Sequence, residues 1–356
     1  MESSRLDASS TQKEPVLNSK NQTKCKYVNS KTRRTLRKNI KKSNKFTILG
    51  NNINGISSKR ESLMKNIKQF QVGAFMIQES KLSQKGQFQI PEYVMFEVIR
   101  KGKEGGSLLT GIHTNLEPVL IFEDEDMEIL VVQIRVKSLL IRLINAYGPQ
   151  EYSNHEKIIS FYSSLDQLIQ NAKMDGCLLI LEFDANAKVG FDVIKNDPCP
   201  QSPNGKILLD LVDRNSLVIC NASNKCSGLI TRRRKTNQRL EESIIDYLIV
   251  CEGMFEYLES MKIDYSNIHE RYIKRNNVAK AVPSDHIPIF ATFSIQWSLR
   301  DRKIKEQKTI FNFKDQNGLL KFRQLTSENQ LSSVFQNGHL LEESRLWLNK
   351  IQINPI

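Results

Sequence analysis

Residues 178–190 read Leu178-Leu-Ile-Leu181-Glu-Phe-Asp184-Ala-Asn186-Ala-Lys-Val-Gly190. The unbroken aliphatic run Leu178–Leu181 predicts a strand buried on both faces, because a strand solvated on one face alternates apolar and polar residues. The run ends in an acid and an amide, Asp184 and Asn186, and soon reaches a glycine. Such a pair is a common turn. It also holds two polar groups rigidly at the edge of a sheet. Which reading applies depends on what stands at the ends of the other strands.

Upstream, Lys45–Leu49 is strand-like and leads into Gly50-Asn51-Asn52-Ile53-Asn54-Gly55. Ser58 and Glu61 have the spacing of a capping box, and Leu63, Met64, Ile67 and Phe70 follow at helical spacing. Val72–Ile77 is a second apolar strand, ending in Gln78-Glu79-Ser80-Lys81. Two strands joined by one such helix read as a βαβ unit. From 93 to 146 the pattern is strand after strand, near 94–99, 107–113, 117–122, 128–135 and 139–146. It reads as an antiparallel meander that ends in Asn145-Ala146-Tyr147-Gly148-Pro149. Ser153 and Glu156 repeat the capping spacing before a helix whose apolar face is Ile158, Phe161, Tyr162, Leu165, Leu168 and Ile169.

Downstream, Asn204 reads as the cap of a helix carrying Ile207, Leu208, Leu211 and Val212, with a short strand at Leu217–Ile219. The basic cluster Arg232-Arg233-Arg234-Lys235 follows. Ser243–Val250 reads as a strand with an acid, Asp246, inside it. A strand near 261–265 leads to a basic loop with Arg271, Lys274, Arg275 and Lys280, then to Ser284-Asp285-His286-Ile-Pro288 and a closing strand. Strands alternating with helices, with antiparallel stretches between, predict an α/β (α+β) fold of two packed sheets flanked by helices.

The 356 residues, 39% of them hydrophobic, suit one two-sheet domain with extensions. The net charge of +13 sits on the flanks: residues 1–44 hold 12 Lys/Arg against 3 Asp/Glu, and 296–356 hold 10 against 6. The middle, 45–295, has 30 of each. A neutral middle binds phosphate through a local cluster or a metal rather than through its whole-surface field. Residues 1–44 read as a disordered basic tail. Its run Lys31–Lys42 is a nuclear-import signal, a non-specific phosphate binder or a solvated tail. Residues 296–356 read as a charged linker with helices near 315–326 and 339–350, too poor in apolar partners for Leu340, Leu341, Trp347 and Leu348 to form a core. No apolar run is long enough to span a membrane, and the N-terminus has no secretory h-region. Cys25, Cys177, Cys199, Cys220, Cys226 and Cys251 include no C-x-x-C pair, which argues against structural zinc; with no export signal they are expected to be reduced thiols of an intracellular protein, and the basic N-terminal run leads to the expectation that it is nuclear.

The strand ends carry Asn52, Glu79, Tyr147, Asp184 with Asn186, Asp246, and Asp285 with His286. Each alone has an ordinary explanation as a turn, a surface acid, a wet tyrosine or a loop histidine. Asp246 is the exception, because an acid in an Ile/Leu/Val run is tolerated only when paired or liganded. Together, in this order, the blocks resemble the endonuclease/exonuclease/phosphatase superfamily. They are Asn52-x-Asn54-Gly55, Gln78-Glu79-Ser-Lys-Leu82, Asn145-Ala-Tyr147-Gly-Pro149, Asp184-x-Asn186-Ala187, Ser243-x-x-Asp246-Tyr247 and Ser284-Asp285-His286-x-Pro288, spanning 45–295. Asn204-Gly205, Cys226-x-Gly228-Leu-Ile-Thr231-Arg and Glu241-Glu-Ser-Ile-Ile-Asp246 resemble the endonuclease domain of non-LTR retrotransposons.

The resemblance implies a four-layer α/β sandwich of mixed sheets with its site at one rim. It implies a divalent-metal-dependent phosphodiesterase that nicks DNA by in-line attack of water. Glu79 would hold Mg²⁺ or Mn²⁺, with Asp285 and Asn52 in support. Asp184 would take the proton of the attacking water, and Asn186 would place that water or a phosphoryl oxygen. Asp246 would orient a charged His286, and Tyr147 would donate to the phosphate or the leaving group. Asn54, Lys81, Arg232, Arg233, Arg234, Lys235 and the 271–280 loop would contact DNA. The chain departs from the family at Phe183, which replaces a glycine and either narrows the site or covers the sheet. It also departs at Asn51, where an aromatic residue is common, and at Arg232, where many members have Trp. The same residues would serve a phosphatase or phosphodiesterase acting on a phospholipid, an inositol phosphate or RNA, and an inactive relic would still bind nucleic acid. No Tyr-x-Asp-Asp block of a reverse transcriptase is present, so the chain is expected to be a partial, truncated or domesticated derivative of a mobile element.

Overall fold

The two apolar runs around the first helix become parallel neighbours. β1 (Ser43–Asn52) pairs with β2 (Ala74–Gln78), and α1 (Arg60–Phe70) crosses between them after one 3-10 turn, Ser57–Lys59. The structure, a computed structural model, describes residues 43–100, 106–236, 239–275 and 278–298. The disordered tail with its basic run at 31–42, and the helices expected near 315–326 and 339–350, lie outside the described residues. After β2 come β3 (Tyr93–Val98), β4 (Leu108–His113), β5 (Val119–Asp124), β6 (Ile129–Val136), β7 (Leu139–Tyr147), α2 (His155–Met174) and β8 (Leu178–Asp184). Next are α3 (Pro203–Arg214), β9 (Leu217–Ile219), β10 (Cys226–Ser227), β11 (Arg232–Lys235), β12 (Leu240–Ser243) and β13 (Asp246–Cys251). The last described elements are α4 (Glu252–Tyr257), β14 (Leu258–Ile263), β15 (Glu270–Arg275), β16 (Val278–Pro283) and β17 (Ile289–Ser298).

These strands build a seven-stranded sheet, β10-β14-β17-β1-β2-β4-β3, and a six-stranded one, β5-β6-β7-β8-β13-β9. Both are mixed: β1 and β2 are parallel, as are β7 and β8, while β1 and β17 are antiparallel, as are β8 and β13. The sheets pack face to face through Ile48, Met76, Leu143, Ile180 and Leu248. Leu63 and Ile67 of α1 cover the outer face of the first sheet against Leu49 and Phe75. Phe161 and Leu165 of α2, with Leu208 and Leu211 of α3, cover the second against Leu181, Phe183 and Tyr247. Each fully buried side chain of this kind stabilises the fold by roughly 1.5–3 kcal/mol. The result is the expected four-layer sandwich. Among the described residues no helix is long and apolar enough to cross a membrane, and the five described cysteines are free.

Several local expectations are corrected. The run from 93 to 146 is not one meander: β3 and β4 end the first sheet, and β5, β6 and β7 begin the second. The 3-10 turn Thr114–Leu116 carries the chain across. All of β4 is buried, between β2 and β3 in its sheet, whereas β5 is a largely exposed edge. Ser58 caps nothing, because it lies in the 3-10 turn and α1 starts with no side-chain cap. Asn154, not Ser153, caps α2, its Oδ1 accepting from Glu156 N at 2.9 Å. Ser202, not Asn204, caps α3: Pro203 takes the first helical position, which suits a residue without an N–H. Asn204 is thereby inside the helix, where its Nδ2 donates to Pro149 O at 3.0 Å. The acid Asp246 opens its strand instead of lying within it, because Ser243 ends β12 and belongs to a separate two-stranded ribbon with β11. The expected basic loop is a second ribbon, β15 with β16, as its Tyr272, Ile273, Val278 and Val282 favour.

Candidate active site

Strand side chains alternate between faces, so residues two apart share one. On β8, Leu179, Leu181 and Phe183 face α2 and α3, while Ile180 faces the other sheet. Glu182 and Asp184 therefore also point between the sheets. The same parity holds on β7 for Leu143, Asn145 and Tyr147, on β13 for Asp246, Leu248 and Val250, and on β1 for Ile48, Gly50 and Asn52. Register completes the alignment: Tyr147 and Asp246 are the pairing partners of Asp184 on either side, and Asn145 is that of Glu182. On the inner face the polar groups gather in the last two rows of these strands, and their ends meet at one rim. Phe183 covers the sheet and does not narrow the site. Asn51 likewise faces away from it, next to Leu49 and Ile53 on the outer face of β1.

A cavity of about 100 Å³ opens at this rim, lined by Asn54, Glu79, Tyr147, Asp184, Asn186, Arg232, Asp285 and His286 together with Gln150. Asn52, 1% exposed, lies beneath it. Its Nδ2 donates to Glu79 Oε1 at 3.1 Å and to Asp184 Oδ2 at 2.9 Å, tying the two sheets' carboxylates together. Its Oδ1 accepts from Asn54 N at 3.1 Å, so the amide bridges the two carboxylates and is anchored by the loop that follows it. The Tyr147 hydroxyl donates to Glu79 Oε1 at 2.9 Å and accepts from Gln150 Nε2 at 3.2 Å. Asn186 binds back through its N to Asp184 Oδ1 (3.0 Å) and through Nδ2 to Gly148 O (2.9 Å). Asn54, Glu79, Lys81 and Asn186 all have φ between 47° and 53°. Left-handed backbone at four non-glycine residues is concentrated strain of the kind that functional sites hold.

His286 Nδ1 donates to Asp246 at 2.9 Å, which leaves Nε2 facing Asp184 Oδ2 at 3.9 Å. Burial works against charging this ring, but Asp246, Asp184 and Asp285 outweigh it and raise its pKa to about 9. Burial and the nearby Asp246 raise Asp184 to about 7, with His286 and Asn52 opposing. Burial also raises the Tyr147 phenol, with Glu79 and Asp184 adding to the effect, so the phenol keeps its proton. For Asp285 burial acts upward, yet His286 and Arg232 prevail and lower its pKa. Asp184, Asp246 and His286 have ligand atoms within 4.8 Å of one another. With Nδ1 hydrogen-bonded to Asp246 at 2.9 Å, the ring presents Nε2 towards Asp184 at 3.9 Å, an ion pair rather than a hydrogen bond. The oxygens of Glu79 and Asp285, both on the cavity wall, are the donor set that suits a hard divalent cation, and an excess of close carboxylates is what such a cation relieves.

The predicted DNA-contact residues divide. Lys81 stands at the mouth, donating to Asn54 Oδ1 at 2.6 Å and lying 3.6 Å from Glu79 Oε2. Arg232 turns into the site, 3.5 Å from Asp285. Arg233 pairs with Glu242 at 2.7 Å and stacks 5.3 Å from the Tyr265 ring. Arg234 and Lys235 are exposed on the β11-β12 ribbon. Sequence reasoning missed four supports. Gln150 holds the Tyr147 hydroxyl. Thr231 Oγ1 accepts from Ile245 N (3.0 Å) and Asp246 N (3.1 Å). Asn221 Nδ2 donates to Asp246 O at 3.1 Å. Lys59, 4% exposed, donates to the carbonyls of Ile53 and Asn54. Two signals were available: Thr231 stands in the Cys226–Arg232 block, where no role was assigned to it, and Lys59 lies in the first turn after the Asn52–Gly55 loop.

A further departure is Glu182, wholly buried one row below Asp184. Gln78 Nε2 donates to its Oε2 at 2.7 Å, and also to Asn145 Oδ1 at 2.8 Å, while Glu182 Oε1 has no partner among the described residues. Burial drives its pKa well up despite the Gln78 bond, with Asp246 and Asp184 adding to the rise.

No family model and no curated relative matches the chain. Solved structures do. The endonuclease domain of TRAS1, a telomere-specific non-LTR retrotransposon, superposes with a TM-score of 0.53 at 18% identity, covering 70% of this chain and 98% of the domain. The AP endonuclease LMAP from Leishmania major matches at 0.54 and 13%, covering 70% and 87%. The 3′ phosphatase NExo from Neisseria, bound to product DNA hairpin, matches at 0.53 and 15%, covering 70% and 99%. The chain therefore shares the fold of these nuclease and phosphatase structures.

Proposed function

We propose that this protein is a divalent-metal-dependent phosphodiesterase of retrotransposon origin that nicks one strand of DNA, with residues 45–295 as its catalytic domain. The observation that carries this reading is the row Tyr147–Asp184–Asp246 set by strand register, with His286 held between the two acids. Glu79 and Asp285 would hold Mg²⁺ or Mn²⁺, which when bound neutralises charge on the scissile phosphate. Asp184, near pKa 7, is suited to take a proton from water at neutral pH, since a base works best near its operating pH. Asn186, fixed by two hydrogen bonds, places that water or a phosphoryl oxygen. His286, held charged by Asp246, faces the phosphate and offsets the charge that develops as the bond breaks. Tyr147 retains its proton and donates it as a hydrogen bond to the phosphate or the leaving oxygen. Arg232 and Lys81 stand where they can meet the neighbouring phosphates.

The likeness to nuclease structures and the basic flanks favour DNA over a lipid or inositol phosphate. Lys31–Lys42 is the segment proposed to direct the chain to the nucleus. Purified protein incubated with supercoiled plasmid and Mg²⁺ should yield relaxed circles, and EDTA should abolish them. A relaxed product that persists in both Asp184→Ala and His286→Ala, or none at all from the unaltered chain, refutes the assignment.

A further inference from the structure

The strand β5 ends the six-stranded sheet, and among the described residues nothing pairs with its outer side. Val119 is 54% exposed, and Leu120 and Ile121 are each 41% exposed. Three apolar side chains in a row on an open edge are a template for another segment. A bulge between Leu120 and Phe122 breaks the ladder, so side chains as much as backbone bonds select what covers it. The upper end of β5 reaches the catalytic rim, since Asp124 pairs with Ile129 and Ile129 with Ala146, the neighbour of Tyr147. The turn there, 123–128, carries five acids and is met by three cations, Lys85, Arg100 and Lys157, so it keeps an excess of negative charge.

The chain enters the fold at the lower end of the same edge. Ser43 pairs with Ser298, at the end of the first sheet opposite the site. Beside them Trp297 donates from Nε1 to Lys45 O at 3.0 Å and packs 4.9 Å from the His113 ring. His113 caps the 3-10 turn that leads into β5. Directly before Ser43 stands Lys31–Lys42, with seven cations and no acid. From β1 to β5 the path crosses three strand spacings and one gap between sheets, about 20 Å. Extended chain covers that in about six residues. The other six, 31–36, match the length of β5.

We propose that the N-terminal segment Lys31–Lys42 docks on the outer side of β5 and runs antiparallel to it, with Leu36 against Val119 and Leu120 and with Arg33 and Arg34 against the acids at the rim. The neutral middle of the chain thereby gains a basic segment held at a fixed place beside the site. This holds whether or not the site cuts DNA. A second copy is the poorer occupant. Two β5 strands paired antiparallel about Leu120 and Ile121 would set Glu117 opposite Asp124, and like charges directly opposite are destabilising.

The test uses the full chain without DNA. Hydrogen exchange of segment 117–124 is compared between the unaltered chain and Arg33→Glu/Arg34→Glu/Leu36→Asp. The variant should exchange faster by roughly 10- to 100-fold. Lys13→Glu/Lys20→Glu, the same charge change earlier in the tail, should leave the segment protected. High salt should speed exchange as the triple variant does, because it screens exposed charge pairs. In a chain carrying Leu36→Cys and Leu120→Cys, a short thiol crosslinker should join the two positions within one molecule. Exchange that the triple variant leaves unchanged overturns the proposal. A crosslink found only between two molecules assigns the edge to a second copy and overturns it as well.

Discussion

Gly50→Ala is the most informative single change, because the structure says what the added methyl would meet. Gly50 and Glu182 face each other across the two sheets, and a Cβ at Gly50 would overlap the carboxyl group and Cγ of Glu182. That carboxyl has little room to yield, being enclosed between the sheets and tied to Gln78 at 2.7 Å. Overpacking a closed core costs typically 1–3 kcal/mol, and a clash with a pinned side chain belongs at the upper end, about 2–3 kcal/mol. For a domain of this size that lowers Tm by roughly 5–10 °C. Glu182→Ala makes the missing room and removes a carboxyl with an unpartnered oxygen, while Gln78 keeps its bond to Asn145. The double variant should therefore recover about 1–3 kcal/mol relative to the sum of the single changes. Urea unfolding of the four proteins, followed by tryptophan fluorescence, closes the cycle. Additivity within about 0.5 kcal/mol would refute the claim that Glu182 occupies the space vacated at Gly50. Since this pair lies one row below Asn52 and Asp184, Gly50→Ala should depress nicking as well, and the double variant should recover part of it.

Three other outcomes follow from the geometry. Asp246→Asn removes the charge that orients His286, so nicking should fall by at least about 10²-fold while duplex affinity, measured by anisotropy, changes little. Glu79→Gln preserves size but removes a carboxylate from the proposed cation site, so the Mg²⁺ concentration giving half-maximal nicking should rise by at least about 10-fold. His269 is buried and, with Lys59 adding to the effect, its pKa is lowered from 6.5 to about 3. The folded protein refuses a proton that the unfolded chain accepts, so the fold loses stability as pH falls from 6.5 towards 3, by up to about 1.4 kcal/mol per pH unit. In His269→Gln the urea-unfolding free energy should fall less steeply between pH 6.5 and 4.5, and an unchanged slope would show that the ring is not held neutral.

Much of the site could be read along the chain because its members stand at the ends of apolar strands, Asp184 and Tyr147 closing theirs and Asp246 opening its own. Asp184, Asn186, Tyr147 and Glu79 stand out against their runs, and parity places them on one face once the run is accepted as a strand. Local signals were less dependable where several residue types compete for one role. Ser58, Ser153 and Asn204 all have capping chemistry, yet Pro203 and the turn before α1 decide where each helix begins. Asp246 reads as an internal acid only because two residues, Ile244 and Ile245, continue the apolar pattern across a break between two sheets. Arg232 reads as one of four equal cations until the backbone bonds Arg233 N to Asp285 O and Ile287 N to Thr231 O, both at 2.7 Å, draw it into the site. Phe183 looked like the anomaly beside Asp184. Its parity sends it to the outer face, and Glu182, one residue earlier, is the group that lies between the sheets one row below Tyr147, Asp184 and Asp246.

Residues 178–190 by themselves determine a buried strand with an acid–amide tip, since continuous apolarity and period-two alternation are local properties of the chain. The order of such tips along the sequence determines the fold class. Which tips meet was decided by tertiary structure alone, because pairing register between β7, β8 and β13 and the stacking of two sheets are contacts between residues far apart in sequence. The same long-range packing converted Glu182 from an unremarked neighbour into the buried partner of Gly50, and left Val119, Leu120 and Ile121 exposed on an edge strand.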